Sequence, residues 1–303
     1  MDTKLAYIIA ILGAACWGLI GLFVQFLYDF GFTAWDVVAI RAIFSAVLLL
    51  LYVSLFKREL LKIQLKHLPL FIGSGIISIV FFNWCLFTVM DQANISLAVV
   101  LLYTGPLFVT ILSRIFFKES LTIRKGLAIF ITLTGCAFVV GLLPSIDTVI
   151  TASTLLIGVG SGFFYALYSI FAKVSSRHYG SLTITTYSFI CASVFMASSS
   201  QLYQKVHLLF HWDVLIFSLG LALVPTIVAY LLYTKGLQYI ESSRASILST
   251  IEPVVAIGIG FLFFQDILTF WQWMGVFLVL SSIILAAETS QKKDKKKTAV
   301  AQA

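Results

Sequence analysis

Ten runs of about twenty apolar residues, joined by short polar links, dominate the chain. They lie at 5–27, 34–55, 68–90, 95–117, 125–143, 154–174, 182–202, 212–234, 243–264 and 270–288. A helix crossing the hydrocarbon core needs roughly 20 such residues. The pattern therefore predicts an all-α membrane protein with ten transmembrane helices. Strands of a membrane barrel would be about ten residues long and would alternate in character, which these runs do not. The first run follows Lys4 and contains Gly13-Ala14-Ala15-Cys16, the outline of a cleaved signal. It continues to Leu27 and has an internal copy, so it is read as a retained span.

The copy recurs throughout, at an offset near 147 residues. Phe116 to Lys125 reads FFKESLTIRK and Phe263 to Gln272 reads FFQDILTFWQ; Pro106, Ala98 and Leu101 match Pro253, Ala245 and Leu248. WGLIGLFVQ from Trp17 aligns with YALYSIFAK from Tyr165. Each copy holds five spans, an odd number, so the second must enter the membrane upside down. The expected division is a first repeat at 1–148, a second at 149–290 and a basic tail at 291–303. Two inverted repeats across the membrane plane are a device of secondary transporters, with the substrate site near the midplane.

Composition agrees with this reading. Of 303 residues 60% are hydrophobic and 11% charged, and mean hydropathy is +1.04. A soluble domain carries about 25% charged residues, so a water-soluble enzyme or a nucleic-acid binder is excluded. The net charge of +7 is then a matter of placement. Counted by side, eighteen Lys and Arg fall with the termini, Lys205 alone falls opposite, and Arg41 lies within a span. Cytoplasmic loops carry the basic excess. The expectation is a multi-pass protein of the cell membrane with both termini cytoplasmic. Lys118, Arg124 and Lys125 become Gln265, Trp271 and Gln272 in the inverted copy, while Val89 and Leu97 become Lys235 and Arg244. Glu119 is matched by Asp266.

These features resemble the drug/metabolite transporter superfamily of the EamA type, with ten spans in two five-helix repeats. The resemblance is carried by Trp17-Gly18 in the first span and Ala39-Ile40-Arg41 in the second. The fourth span of each repeat adds a proline followed by an acid, Leu and Thr: Pro106 with Glu119, Leu121 and Thr122, and Pro253 with Asp266, Leu268 and Thr269. Glu252-Pro253 also fits, whereas Asp266 stands where Glu is usual. The resemblance covers about residues 5–288 and implies export or exchange of small metabolites, amino acids among them, without ATP hydrolysis.

Two ionisable residues lie well inside spans. A charge at midspan costs about 2.5–3.5 kcal/mol on insertion scales, so Arg41 and Glu252 are functional candidates. Each could instead satisfy a neighbouring polar group, or the two could pair. Glu252 is the candidate for proton coupling, and Pro106 and Pro253 are candidate helix bends. Trp17, Asn83, Trp84, Tyr103, Tyr165, Tyr168, Tyr230 and Tyr233 are read as the cavity wall, against the alternative that they are belt or packing aromatics. Such a wall suits an amphipathic or aromatic metabolite. Gly158 with Gly162 and Ala14 with Gly18 are small-residue pairs suited to close helix contact. Lys173 and Gln25 are repeat mates that could gate opposite faces, though a topology charge explains Lys173 as well. Cys16, Cys85, Cys136 and Cys191 are read as packing residues. His207, His211 and Asp213 lack the further ligands a metal needs. The tail KKDKKK could meet anionic lipid.

No cofactor and no metal is expected; the partners are a small-molecule substrate, the bilayer and, through Glu252, protons. The leading function is a secondary transporter moving a small organic metabolite by alternating access, in the direction of export. A passive facilitator or channel could share this bundle. An intramembrane enzyme would need a constellation such as HExxH, and none is present.

Overall fold

A computed structural model describes residues 1–144, 151–263, 265 and 267–301, with side chains through Ala287. The repeat boundary at 148/149, Asp266 and the side chains of the basic tail lie outside the described residues. The helical spans are α1 (Thr3–Asp29), α2 (Ala34–Phe56), α3 (Leu65–Gln92), α4 (Ile95–Phe117), α5 (Ile123–Val139), α6 (Ala152–Ser175), α7 (Ser181–Ser199), α8 (Trp212–Leu237), α9 (Ser242–Phe263) and α10 (Phe270–Ala301). Among the described residues, nine are long and apolar enough to cross a membrane. The other, α5, has 17 residues, about 26 Å at 1.5 Å per residue, the lower end of the spanning range. It was expected at 125–143, but the helix stops at Val139 and Gly141 follows in the left-handed region with φ +74°.

Local chemistry sets the helix starts. Thr33 and Asp36 cap α2 reciprocally, Asp36 N donating to Thr33 Oγ1 at 3.2 Å and Thr33 N to Asp36 Oδ2 at 2.9 Å. Asn94, Thr122 and Thr151 accept from the backbones of Leu97, Lys125 and Thr154 to start α4, α5 and α6.

Three spans are interrupted. Segment Thr3–Trp17 of α1 gives way to Ile20–Asp29; in α4, Ile95–Leu102 is followed by Gly105–Phe117; in α9, Ser242–Leu248 is followed by Ile251–Phe263. Pro106 and Pro253 stand in the first turns of restarted segments, where a missing N–H costs nothing. They mark helix restarts, not bends in continuous helices. Two further spans contain π-helical turns at repeat-related places, Gly73–Val80 in α3 and Leu223–Val228 in α8.

The halves exchange contacts. From the first repeat α1 packs on α8, while from the second α6 packs on α3 and α4; α2 lies against α7 and α5 against α10. The loops on the face where α1 begins meet one another, as in Gln64 N donating to Tyr179 Oη at 3.0 Å. On the opposite face Lys205 reaches Asp36 at 2.7 Å and Gly31 O at 2.8 Å. We call these the terminal face and the opposite face. Lys125 and Arg244, read above as loop charges, are only 3% and 4% exposed and sit in an ion-pair cluster at the terminal face. Lys173 donates to the carbonyls of Leu237 and Ile240 at 2.6 and 2.7 Å, so it anchors the end of α8.

Close approach between the halves depends on small residues. A Cβ on Gly162 of α6 would lie 2.1 Å from Thr104 Oγ1 and 2.9 Å from Leu101 O of α4. Gly18 of α1 meets Glu252 O and Val255 of α9 in the same way. Gly162→Ala is expected to destabilise the folded protein by about 1–3 kcal/mol, lowering the melting temperature in detergent. Gly258→Ala, which would meet nothing within 4 Å, should leave it unchanged; equal melting of the two variants would contradict this packing.

Candidate functional site

A cavity of about 470 Å³ lies between the halves. It extends from Arg41, Tyr230 and Glu252 past Tyr103 and Asn83 to Tyr28, Met90 and Ile95 at the opposite face. Tyr28 and Ile95 are 41% and 66% exposed, so the cavity is accessible from that side. Its lining is mostly apolar, and among the described lining residues Arg41 and Glu252 alone are charged. No ion pair joins the two among the described residues.

The position of Arg41 follows from a proline. Pro225 in α8 has no N–H to offer the carbonyl of Leu221, four residues back. Thr226 Oγ1 takes that carbonyl at 2.8 Å, within the π-helical turn, and accepts from Arg41 Nε at 3.1 Å. Ala222 O, in the same irregular stretch, accepts from Ser45 Oγ at 3.3 Å. Arg41 is thus held by its Nε, and Tyr230 lies beside it. The repeat mate of Arg41 is Ser188, which meets the other π-helical turn by bonding Ser74. The equivalent interface therefore closes with two neutral hydroxyls, so architecture alone does not demand an arginine at position 41.

Glu252 stands in the first turn of the restarted segment of α9, where an acid complements the positive end of the helix. Its carboxylate forms no hydrogen bond or ion pair with a described residue, and it faces the cavity. At the breaks two Thr residues add a hydroxyl bond to carbonyls that also accept their backbone N–H: Thr104 Oγ1 donates to Leu101 O and Thr250 Oγ1 to Ile247 O, each at 2.6 Å.

The aromatic residues divide into a floor and an underlayer. Trp17, Phe82, Tyr165 and Tyr230 border the cavity, with Trp17 packed edge-on to Tyr230 at 5.1 Å and to Tyr165 at 6.4 Å. Trp17 Nε1–H is buried and donates to no described residue. Tyr168 and Tyr233 were expected in the wall but line a void of only about 10 Å³ beneath this floor. There they bind Thr234 and Ser169 at 2.7 Å, tying α6 to α8. Trp84 does not reach the cavity: it is 52% exposed on the outside of α3, because its neighbours Asn83 and Cys85 take the inward positions. Asn83 lines the cavity, its Nδ2 donating to Ile79 O at 2.6 Å. Gln25 lines the cavity too, on a face opposite to its mate Lys173. Among the described residues no group of three His, Cys, Asp or Glu could hold a metal, and all four cysteines are free.

Inverted five-helix repeats with broken helices around a cavity between them define a membrane transporter. The model of the EamA-like transporter family matches residues 4–141 and again 152–287, and the chain belongs to that family. The resemblance to this family is thus shown over both repeats. The inner membrane transporter YicL of Salmonella typhimurium is 24% identical over 302 residues, covering 96% of this chain and 98% of its own. The threonine/homoserine exporter RhtA of Escherichia coli K12 is also 24% identical, over 86% of this chain and 83% of its own. A solved protein structure superposes with a TM-score of 0.75 over 95% of this chain at 14% identity, a likeness of fold.

Because Thr226 keeps its bond to Leu221 O without Arg41, Arg41→Ser is expected to fold, with a melting temperature close to that of the parent. Thr226→Val strands both a buried donor and a carbonyl. It should cost about 1–3 kcal/mol and melt measurably lower by scanning fluorimetry. The reverse order of stabilities would refute the relay.

Proposed function

We propose that this protein is a secondary transporter that exports a small organic metabolite, an amino acid or an amphipathic or aromatic relative, by alternating access. The observation that carries the reading is the cavity lined by one cation, Arg41, and one acid, Glu252, with no ion pair between them among the described residues. A zwitterion supplies a partner to both: its carboxylate can meet the Nη groups of Arg41, and its ammonium can approach Glu252. The aromatic floor offers apolar area and cation–π contact to the same ligand. At about 470 Å³ the cavity is in the range of small-molecule sites and leaves room for a side chain. The threonine/homoserine function in the name of RhtA supports the amino-acid class.

The basic excess supports a cytoplasmic terminal face, which makes the cavity accessible from outside in the state described. Proton coupling is assigned to Glu252, which must be emptied and refilled between states. A passive facilitator is the second reading, favoured by the openness of the cavity to one face.

Proteoliposomes loaded with unlabelled amino acid should accumulate the labelled compound transiently, with threonine, homoserine and phenylalanine the first probes. Saturable counterflow is the result expected of a carrier; flux that rises linearly with concentration and shows no counterflow would establish a pore. Arg41→Ser should reduce counterflow at least about tenfold, a charged hydrogen bond being worth roughly 1.5–3 kcal/mol. Glu252→Gln should leave the protein folded and counterflow measurable while removing the pH dependence of net transport. An unchanged pH profile would end the role assigned to that acid.

A further inference from the structure

At the terminal face the two repeats are joined by four charges that the cavity does not use. Glu119 follows the end of α4 and Lys125 lies in the first turn of α5, both in the first repeat. Glu241 and Arg244 flank the start of α9 in the second. The Glu119 carboxylate accepts from Ser242 N at 2.7 Å and Ser243 N at 3.1 Å, and from the Ser243 hydroxyl. Lys125 Nζ donates to Ser243 Oγ at 2.7 Å and pairs with Glu241 at 3.1 Å and Glu119 at 3.8 Å. Arg244 pairs with Glu241 at 2.8 Å and donates to Tyr7 Oη of α1 at 2.9 Å. The side chains of Glu119, Lys125 and Arg244 are 8% exposed or less, and Glu241 is 29% exposed.

The inverted copy of this place, at the opposite face, is built differently. The mates of Lys125, Glu241 and Arg244 are Gln272, Asn94 and Leu97. Their contacts are neutral: Leu97 N donates to Asn94 Oδ1 at 2.7 Å, Ser96 Oγ to Val140 O at 2.6 Å and Gln272 Nε2 to Val139 O at 3.4 Å. Those contacts lie beside the mouth of the cavity, which Ile95 and Val140 help to line.

We propose that Glu119, Lys125, Glu241 and Arg244 form an ionic latch between the repeats that seals the terminal face and must open once in every transport cycle. This rests on the alternating-access reading given above. A charge this deep is costly once its partner leaves, because it is then buried and uncompensated until water reaches it. The latch therefore parts only as water enters the terminal face, which makes its opening a two-state event. The repeat-related place on the opposite face has no such charges among its described contacts, and the one ion pair described on that face, Lys205 with Asp36, lies apart from it; the resting equilibrium on this proposal favours the cavity open at that face. Lys125 and Arg244 are positioning residues for the cycle and do not touch the cavity.

The test uses the full chain with the four native cysteines replaced and two separate reporters. Ser246→Cys lies on α9 just beyond the latch and is fully buried; Met90→Cys lines the cavity near the opposite face. Each is challenged with a membrane-impermeant maleimide from its own side, in vesicles of defined orientation. With the latch intact the Met90→Cys reporter should react fast and the Ser246→Cys reporter slowly. The charge-neutral pair Lys125→Met with Glu241→Gln, and separately Glu119→Gln, should raise Ser246→Cys labelling at least about tenfold and slow Met90→Cys labelling. A tenfold shift corresponds to about 1.4 kcal/mol between the two states. Unchanged Ser246→Cys labelling in both variants overturns the latch. A rise at both reporters also overturns it, since that is loosening and not an exchange of states. Labelling needs no substrate, so the two readings fail separately. Counterflow with unmoved reporters sinks the latch alone, and moving reporters without counterflow sink the transport reading alone.

Discussion

In hydrocarbon, a backbone N–H or C=O without a partner costs several kcal/mol, so irregular chain survives only where protein or water covers it. That constraint organises this molecule. Its interruptions gather around one place: the end of the first segment of α1 at Trp17, the restart of α4 after Tyr103, the restart of α9 beside Glu252, and the π-helical turn of α8 at Thr226. Carbonyls at these places accept a hydroxyl bond, from Thr104, Thr226, Thr250 or Ser45. The cavity is where the helices are allowed to fail, and the failures supply its polar groups.

The two repeats use one architecture for different ends. Where α2 meets α8 the contact is Arg41 with Thr226, and where α7 meets α3 it is Ser188 with Ser74. The first places a cation in the cavity wall; the second only packs. The terminal face likewise carries an ion-pair cluster where the repeat-related place on the opposite face uses Asn, Ser and Gln. Symmetry thus supplies the exchangeable scaffold, and a few broken matches supply chemistry and bias.

Much of this was legible in the sequence, for identifiable reasons. Apolar run length fixes the spans, because bilayer thickness admits few alternatives. Inversion follows from an odd span count, and Arg41 and Glu252 stand out because charge is rare at midspan. Side-chain direction was less legible. Trp84 points outward and Tyr168 and Tyr233 sit below the floor, since a helix uniformly rich in aromatics has no marked face to read. The cluster of Lys125, Glu241 and Arg244 was hidden by its own utility as a topology signal: a basic residue near a span end counts the same whether bathed in water or buried. The π-helical turns left a trace in Pro225 and in Gly73 and Gly75, whose meaning depends on partners far along the chain: Arg41 for the first, Phe171 and Ser188 for the glycines.

The exchange of first helices bears on how the chain is made. The close faces of α1, at Gly13 and Gly18, have their partners on α8 and α9, which are synthesised late. Through most of translation α1 must wait in the membrane with a notched, lipid-wetted flank. The first helix therefore completes its packing only once α8 and α9 have joined it in the membrane.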